Sequence, residues 1–293
     1  IQSSVDPILF LEYHRQFSHS LFFIPFGSLI VSLVVFPFVK KTMSLKIVYT
    51  ASLLGYATHG LLDACTSYGT QLFWPFSNER VTWNNISIVD PLFTIPIVML
   101  VASAIKTRMR MFSFFAIGWI AFYLSLGFIQ YERALSTAMD LAYSRGHNAE
   151  RLTLKPSFGN LVLWKSIYQH EDVFYVDAIR TFRSSTWCSG ESIRMFDYQY
   201  HLPNLDKTSQ QAKDIERFRW FSQDYLGYDD KNNLVTDIRY SMIPNQIAPM
   251  WGLIIDKERS ADEHAIWWTS RSLDQSQLDL FKEMISGKKC ENI

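Results

Sequence analysis

Two short stretches of the chain carry side chains suited to metal chemistry. Residues 14–20 read H-R-Q-F-S-H-S, and His59 precedes Asp63 by four positions. Imidazole nitrogens and a carboxylate are the donors that Zn²⁺ and similar divalent ions select, and an ion so held acidifies a bound water and polarises a phosphoryl or carbonyl oxygen. On a helix, positions i and i+4 share a face, so His59 and Asp63 can reach one ligand; a helix-stabilising His–Asp hydrogen bond would use the same spacing. His14 and His19 are five apart, about 500° of helix, so at least one must sit in a lead-in turn. Arg15 could clamp an anionic substrate or equally anchor to lipid headgroups. Asp90 stands before Pro91, as a further ligand, an orienting acid or simply a helix start. His147, His170, His201 and His264 are scattered and receive no role.

The elements that must position these groups are apolar. Across 293 residues, 28 Lys+Arg balance 28 Asp+Glu, leaving no net charge with which to grip nucleic acid, and 48% hydrophobic content excludes disorder. The charge is unevenly placed: residues 1–130 hold 8 basic and 5 acidic side chains, residues 131–293 hold 20 and 23. Four stretches, 20–39, 47–66, 90–105 and 111–130, approach the roughly 20 apolar residues that cross a bilayer. The connections 40–46 and 106–110 hold six of the first half's eight basic residues, which predicts that both lie in the cytoplasm. Residues 1–19, the loop 67–89 and everything after about 131 then face the periplasm.

This hairpin brings the two stretches to one height. His19 lies 20 residues before Val39 and Asp63 lies 17 after Lys46, a mismatch of about 5 Å at the helical rise. His59 falls one turn deeper. Ionisable groups at membrane depth are costly unless paired, solvated or bound to metal, so His14, His19, His59 and Asp63 are expected to converge on an ion.

The second half reads as a soluble α+β domain with a mainly antiparallel sheet. Strands are predicted at 151–155, 160–168, 172–182, 233–240, 251–256 and 264–269, and helices at 132–145, 210–222 and 275–286. The expected fold is therefore an α-helical membrane domain of about four spans, residues 1–130, followed by this domain, residues 131–293. Cys65, Cys188 and Cys290 lack zinc-ribbon or redox spacing. Cys188 and Cys290 are read as free thiols in preference to a bridge, which an oxidising compartment would permit. The chain opens at Ile1 with no basic stretch before an apolar core, so no cleavable signal peptide is expected and further residues are expected upstream.

Three ordered motifs carry a resemblance: H-R-Q-F-S-H-S-L at 14–21, H-G-L-L-D-A-C-T-S-Y-G-T-Q-L-F-W-P-F-S at 59–77 and I-V-D-P-L-F-T-I-P at 88–96. They are similar to the YdjM family of bacterial inner-membrane-associated proteins regarded as metal-dependent hydrolases, itself distantly like the zinc-dependent phospholipase C and single-strand nuclease superfamily. N-L-V-L-W-K-S at 160–166, R-F-R-W-F-S at 217–222 and V-T-D-I-R-Y at 235–240 resemble the tail of many members. The resemblance implies metal ligation by His59 and Asp63 and a family pattern falling on His14, Arg15, His19 and Ser20. The P-D-L-D-like acidic motif with which members usually open has no counterpart here.

The expected function is a multi-pass hydrolase of the bacterial inner membrane, whose divalent metal, zinc by preference, acts on a phosphodiester or lipid-linked substrate at the outer face. Membrane lipids are the expected partners, and nucleic acid is not. Two rivals remain: a cation or proton relay, and a scaffold with a structural metal site.

Overall fold

A computed structural model describes residues 3, 5–288 and 290–291. The described residues divide into two compact units, the first comprising Leu9–Asn84, the second the residues before Leu9 together with those from Asn85 onward. The composition break at residue 130 falls inside a single helix of the second unit.

In the first unit, α1 (Leu9–Tyr13) leads through two short 3₁₀ turns, Phe17–His19 and Leu21–Phe23, into α2 (Ile24–Val39), which packs against α3 (Leu45–Ala64). Ser20 caps the second turn by accepting from the Phe23 N–H, and Ser44 caps α3 by accepting from Ile47. Two glycines let the hairpin close. A Cβ at Gly27 would strike the Tyr56 ring, and one at Gly60 would run into the His19 carbonyl oxygen. The loop 65–84 then folds back over the opening segment. Gln71 N–H donates to Arg15 O at 2.9 Å, Leu21 N–H to Leu72 O at 2.9 Å, and Trp83 N–H to Ala64 O at 2.7 Å.

In the second unit, α4 (Pro91–Thr107) turns through left-handed Arg108 (φ 55°) into α5 (Arg110–Ser144). The upper part of α5 lies on an antiparallel sheet of order β1-β2-β3-β4: Arg151–Pro156, Leu163–His170, Val173–Thr181 and Ser185–Arg194. Ala134, Ala138, Leu141 and Ala142 face it, their small side chains allowing close approach. Arg145, just past the helix, makes a bidentate pair with buried Asp177 of β3 at 2.6 and 2.9 Å. The remaining elements are α6 (Tyr198–His201), α7 (Gln210–Phe221), α8 (Gln275–Ser286) and a second antiparallel sheet. That sheet has the order β5-β6-β7-β8: Leu226–Asp229, Leu234–Asp237, Trp251–Ile254 and Ile266–Thr269. Ile167, Phe174 and Val176 pack with Tyr225, Ile238 and Ile247 in the core.

Three expectations require correction. Among the described residues only Leu21–Val39 and Arg110–Ser144 are long and apolar enough to cross a membrane, so four spans are not supported. Helix α4 has 17 residues and rises about 25 Å against a hydrocarbon core of about 30 Å. Helix α3 is diluted by Lys46, Thr50, Thr58, His59 and Asp63. Second, the region after α5 holds two four-stranded sheets where one was expected; β4 and β5 were absent from the sequence reading. Third, Cys188 and Cys290 form a disulfide across 102 residues, beside a backbone bridge between Trp187 and Glu291; only Cys65 is free, and it is buried.

Candidate metal centre

The site forms where the 3₁₀ turn Phe17–His19 crosses the end of α3. Gly60, one residue after His59, admits the His19 backbone against the helix, which places the His19 ring over the face shared by His59 and Asp63. Asp63 Oδ2 lies 3.1 Å from His19 Nε2 and 3.7 Å from His59 Nε2, and the imidazole centroids are 4.5 Å apart. One donor atom from each of the three falls within 4.8 Å of the others. Tetrahedral coordination at the usual zinc–nitrogen and zinc–oxygen lengths sets donors about 3.3 Å apart, so small side-chain adjustments would suffice to enclose an ion.

Neighbouring groups hold these donors in place. Ser18 Oγ is 2.9 Å from His19 Nδ1, which leaves Nε2 to face the carboxylate. Arg15 approaches the other carboxylate oxygen, Oδ1, at 3.3 Å and donates to the Asp63 carbonyl at 3.1 Å and to Thr66 Oγ1 at 2.7 Å. Its side chain is only 11% exposed, so the guanidinium is turned inward and orients Asp63, where the sequence left open a substrate clamp or a headgroup anchor. Arg15 adopts a left-handed backbone (φ 59°), which costs a non-glycine residue on the order of 1–3 kcal/mol and persists only where surroundings enforce it. Here the enforcement comes from Gln71, whose N–H binds the Arg15 carbonyl. The side chain of His59 is 56% exposed, against 16% for His19 and 20% for Asp63, so the cluster opens on the His59 side.

Two expected site residues lie elsewhere. His14 is not part of the three-donor cluster; its ring meets Tyr68 edge-on at 4.9 Å, and its carbonyl accepts from Arg80. Desolvation, then the charges of Arg15 and Arg80, push its pKa below the ordinary histidine value. The five-residue spacing explains the separation, since His14 sits before the Arg15 kink and His19 after it. Asp90 belongs to the second unit, where Oδ1 caps α4 by accepting from Phe93 N–H at 3.2 Å and Oδ2 accepts from the Tyr123 hydroxyl at 2.8 Å. Both oxygens are engaged in structural bonds. What the sequence reading missed was the roles of Ser18, Gly60 and Thr66; the glycine directly after His59 was the available signal.

Residues 3–134 match the YdjM inner membrane protein family. This segment of the chain is similar to the YdjM family. The three metal donors and the residues that hold them lie inside this YdjM region, whereas both antiparallel sheets lie beyond it. A curated relative, the uncharacterized protein YfhP of Bacillus subtilis (strain 168), is 30% identical over 87 residues, 30% of this chain and 26% of its own. The chain thus spans about a quarter of the length of that relative. No solved structure matches.

Proposed function

We propose that the protein is a membrane-bound, metal-dependent hydrolase acting on a phosphodiester or lipid-linked ester at the outer surface of the bacterial inner membrane. The observation that carries this reading is the convergence of His19, His59 and Asp63 on one point with one side open. Three protein donors and a free position are the format of catalytic zinc sites, whereas structural sites are closed by four. The chemistry a divalent ion would supply there is an acidified water and a polarised phosphoryl or carbonyl oxygen. The chain's own residues do the rest: Arg15 and Thr66 hold Asp63, Ser18 holds the His19 ring through Nδ1, and exposed His59 borders the entry. The guanidinium groups of Arg15 and Arg80 lie 5.2 and 5.6 Å from the Tyr68 ring, a cationic setting that favours an anionic substrate over a neutral amide.

A relay reading is weaker because the hydroxyls that could extend it are spent within their own helices. Ser28 donates to Ile24 O, Ser32 to Ser28 O, Thr50 to Lys46 O and Thr58 to Leu54 O. The orientation proposed, basic turns inside and sheets outside, is supported by Lys40, Lys41 and Lys46 in one turn and Lys106, Arg108 and Arg110 at the other. The Cys188–Cys290 bond supports it too, since such bridges persist in oxidising compartments. The test is turnover of a generic phosphodiester and of a lipid extract by purified protein, wild type against Asp63→Asn. Hydrolysis by the first and not the second supports the reading; equal rates, or none with metal bound, refute it.

A further inference from the structure

The second unit carries an exposed patch that neither the metal centre nor the core uses, at the level where α5 leaves its apolar section. Arg110 begins the helix and Gln130 lies 20 residues on, a rise of about 30 Å, the thickness of the hydrocarbon core. Gln130 is buried, and its amide donates to Leu161 O at 3.3 Å and to Thr181 O at 2.6 Å, which ties the β3–β4 turn to this height. Independently, Gly159 N–H donates to Ser87 Oγ, and a Cβ at Gly159 would meet Pro91 at the start of α4, which ties the β1–β2 loop to the mouth of the α4–α5 hairpin. Both loops end in an outward phenylalanine: Phe158 is 65% exposed and Phe182 is 54% exposed.

Basic groups flank these rings. The Arg180 guanidinium lies 5.2 Å from the Phe182 ring, Arg183 is exposed beside it, and Arg133 reaches from α5 to the Arg183 carbonyl while also binding Gln130. Glu132 is the acidic neighbour on the helix. Below the patch, α4 and α5 carry exposed apolar side chains, among them Leu92 at 56% and Ile129 at 58%. An apolar edge with arginines immediately above it has the chemistry of the hydrocarbon–headgroup boundary.

We propose that Phe158 and Phe182 insert into the outer lipid interface and that Arg133 and Arg183 bind headgroup phosphates, holding the sheet domain down on the bilayer. The inference rests on α5 crossing the membrane with the sheets on its outer side, as proposed above, and is independent of the metal centre. Anionic lipid strengthens the attachment, because each arginine near the surface gains from the negative surface potential.

The test places single cysteines at Phe158, Phe182, Phe115 and Tyr200 of the full chain, labels each with an environment-sensitive fluorophore and reconstitutes the protein in phosphatidylcholine vesicles with or without phosphatidylglycerol. Lipids spin-labelled at the headgroup or deep in the acyl chain report depth. Phe115, exposed on α5, checks the span. Tyr200 is the aqueous control, since β4 carries the chain ten residues away from the Phe182 turn, about 30 Å. Probes at Phe158 and Phe182 are expected to be quenched by headgroup labels, the Phe115 probe by deep labels and the Tyr200 probe by neither. Arg183→Glu should abolish the gain in Phe182 quenching that phosphatidylglycerol produces. Deep quenching at Phe115 with water-like probes at Phe158 and Phe182 overturns the proposal, as does protection of those probes from aqueous quencher without lipid quenching, which would indicate a protein partner. Failure at Phe115 overturns the span reading as well.

Discussion

Gly60 is the position at which the smallest chemical change tests the geometry of the site. In an exposed helix interior, Gly→Ala stabilises by about 1 kcal/mol. At Gly60 the added methyl would overlap the His19 carbonyl oxygen, and that atom is backbone, fixed in a 3₁₀ turn, so it cannot swing aside as a side chain would. Withdrawal by on the order of 1 Å is required, and overpacking of this kind costs about 1–3 kcal/mol, enough to cancel the helical gain. The larger consequence falls on the donors. His19 Nε2 stands 3.1 Å from Asp63 Oδ2, and a displacement of roughly 1 Å exceeds the few tenths of an ångström that a metal–nitrogen bond tolerates. Metal affinity of Gly60→Ala should therefore fall by about 10–100-fold, the scale seen when the support of a ligand is lost. Gly55, on the same helix with nothing within 4 Å of its would-be Cβ, supplies the control: Gly55→Ala should raise helix stability and leave affinity unchanged. Competitive titration against a chromophoric chelator, with circular dichroism to confirm folding, reads both. A folded Gly60→Ala that binds metal as tightly as wild type would refute the reasoning.

Removing the Ser18 hydroxyl from His19 Nδ1 by Ser18→Ala should weaken metal binding about tenfold, whereas His14→Ala should leave the metal content per chain unchanged, both measurable by the same titration. Lys165 is buried against Ser241 Oγ and Gln246 O, and desolvation brings its pKa down from 10.5 to about 7. Between those values the unfolded chain binds the extra proton, so stability rises with pH across that window, by at most about 1.4 kcal/mol per unit, while below pH 7 the cost of the buried cation is present in full. Denaturation of wild type and Lys165→Met from pH 7 to 10 should show the slope in the first and a flatter profile in the second. Reduction of Cys188–Cys290 frees a loop of 102 residues and should lower the stability of the sheet domain by about 2–5 kcal/mol in the same assay, with wild type rendered equal to Cys188→Ser.

The donor set was legible because two regularities overlapped. The i, i+4 spacing put His59 and Asp63 on one face, and counting residues from a basic turn put His19 at their height; both survive in the structure. What spacing could not convey was the backbone turn at Arg15, which separates His14 from His19, and the inward pairing of Arg15 itself. The turn is held by Gln71 of the 65–84 loop and the pairing by Asp63 and Thr66, all contacts distant in sequence that leave no local pattern. Strand β4 was missed because most of its outward-facing length is exposed and polar, S-T-W-C-S-G-E-S-I-R, with no alternation to read. Strand β2 was found but mis-bounded, since burial on both faces removes the period of two. The apparent boundary near residue 130 reflects a change of surroundings along one helix: α5 passes from an apolar section to a sheet-packed one without leaving helical geometry.

The most direct measurement of the central claim is the metal content of purified full-length protein by elemental analysis, for wild type, His19→Ala, His59→Ala and Asp63→Asn. A single divalent ion per chain in wild type, lost from all three variants while they remain folded, is the expected result. Wild-type protein that retains no ion after zinc or manganese loading, or variants that keep it, would contradict the account.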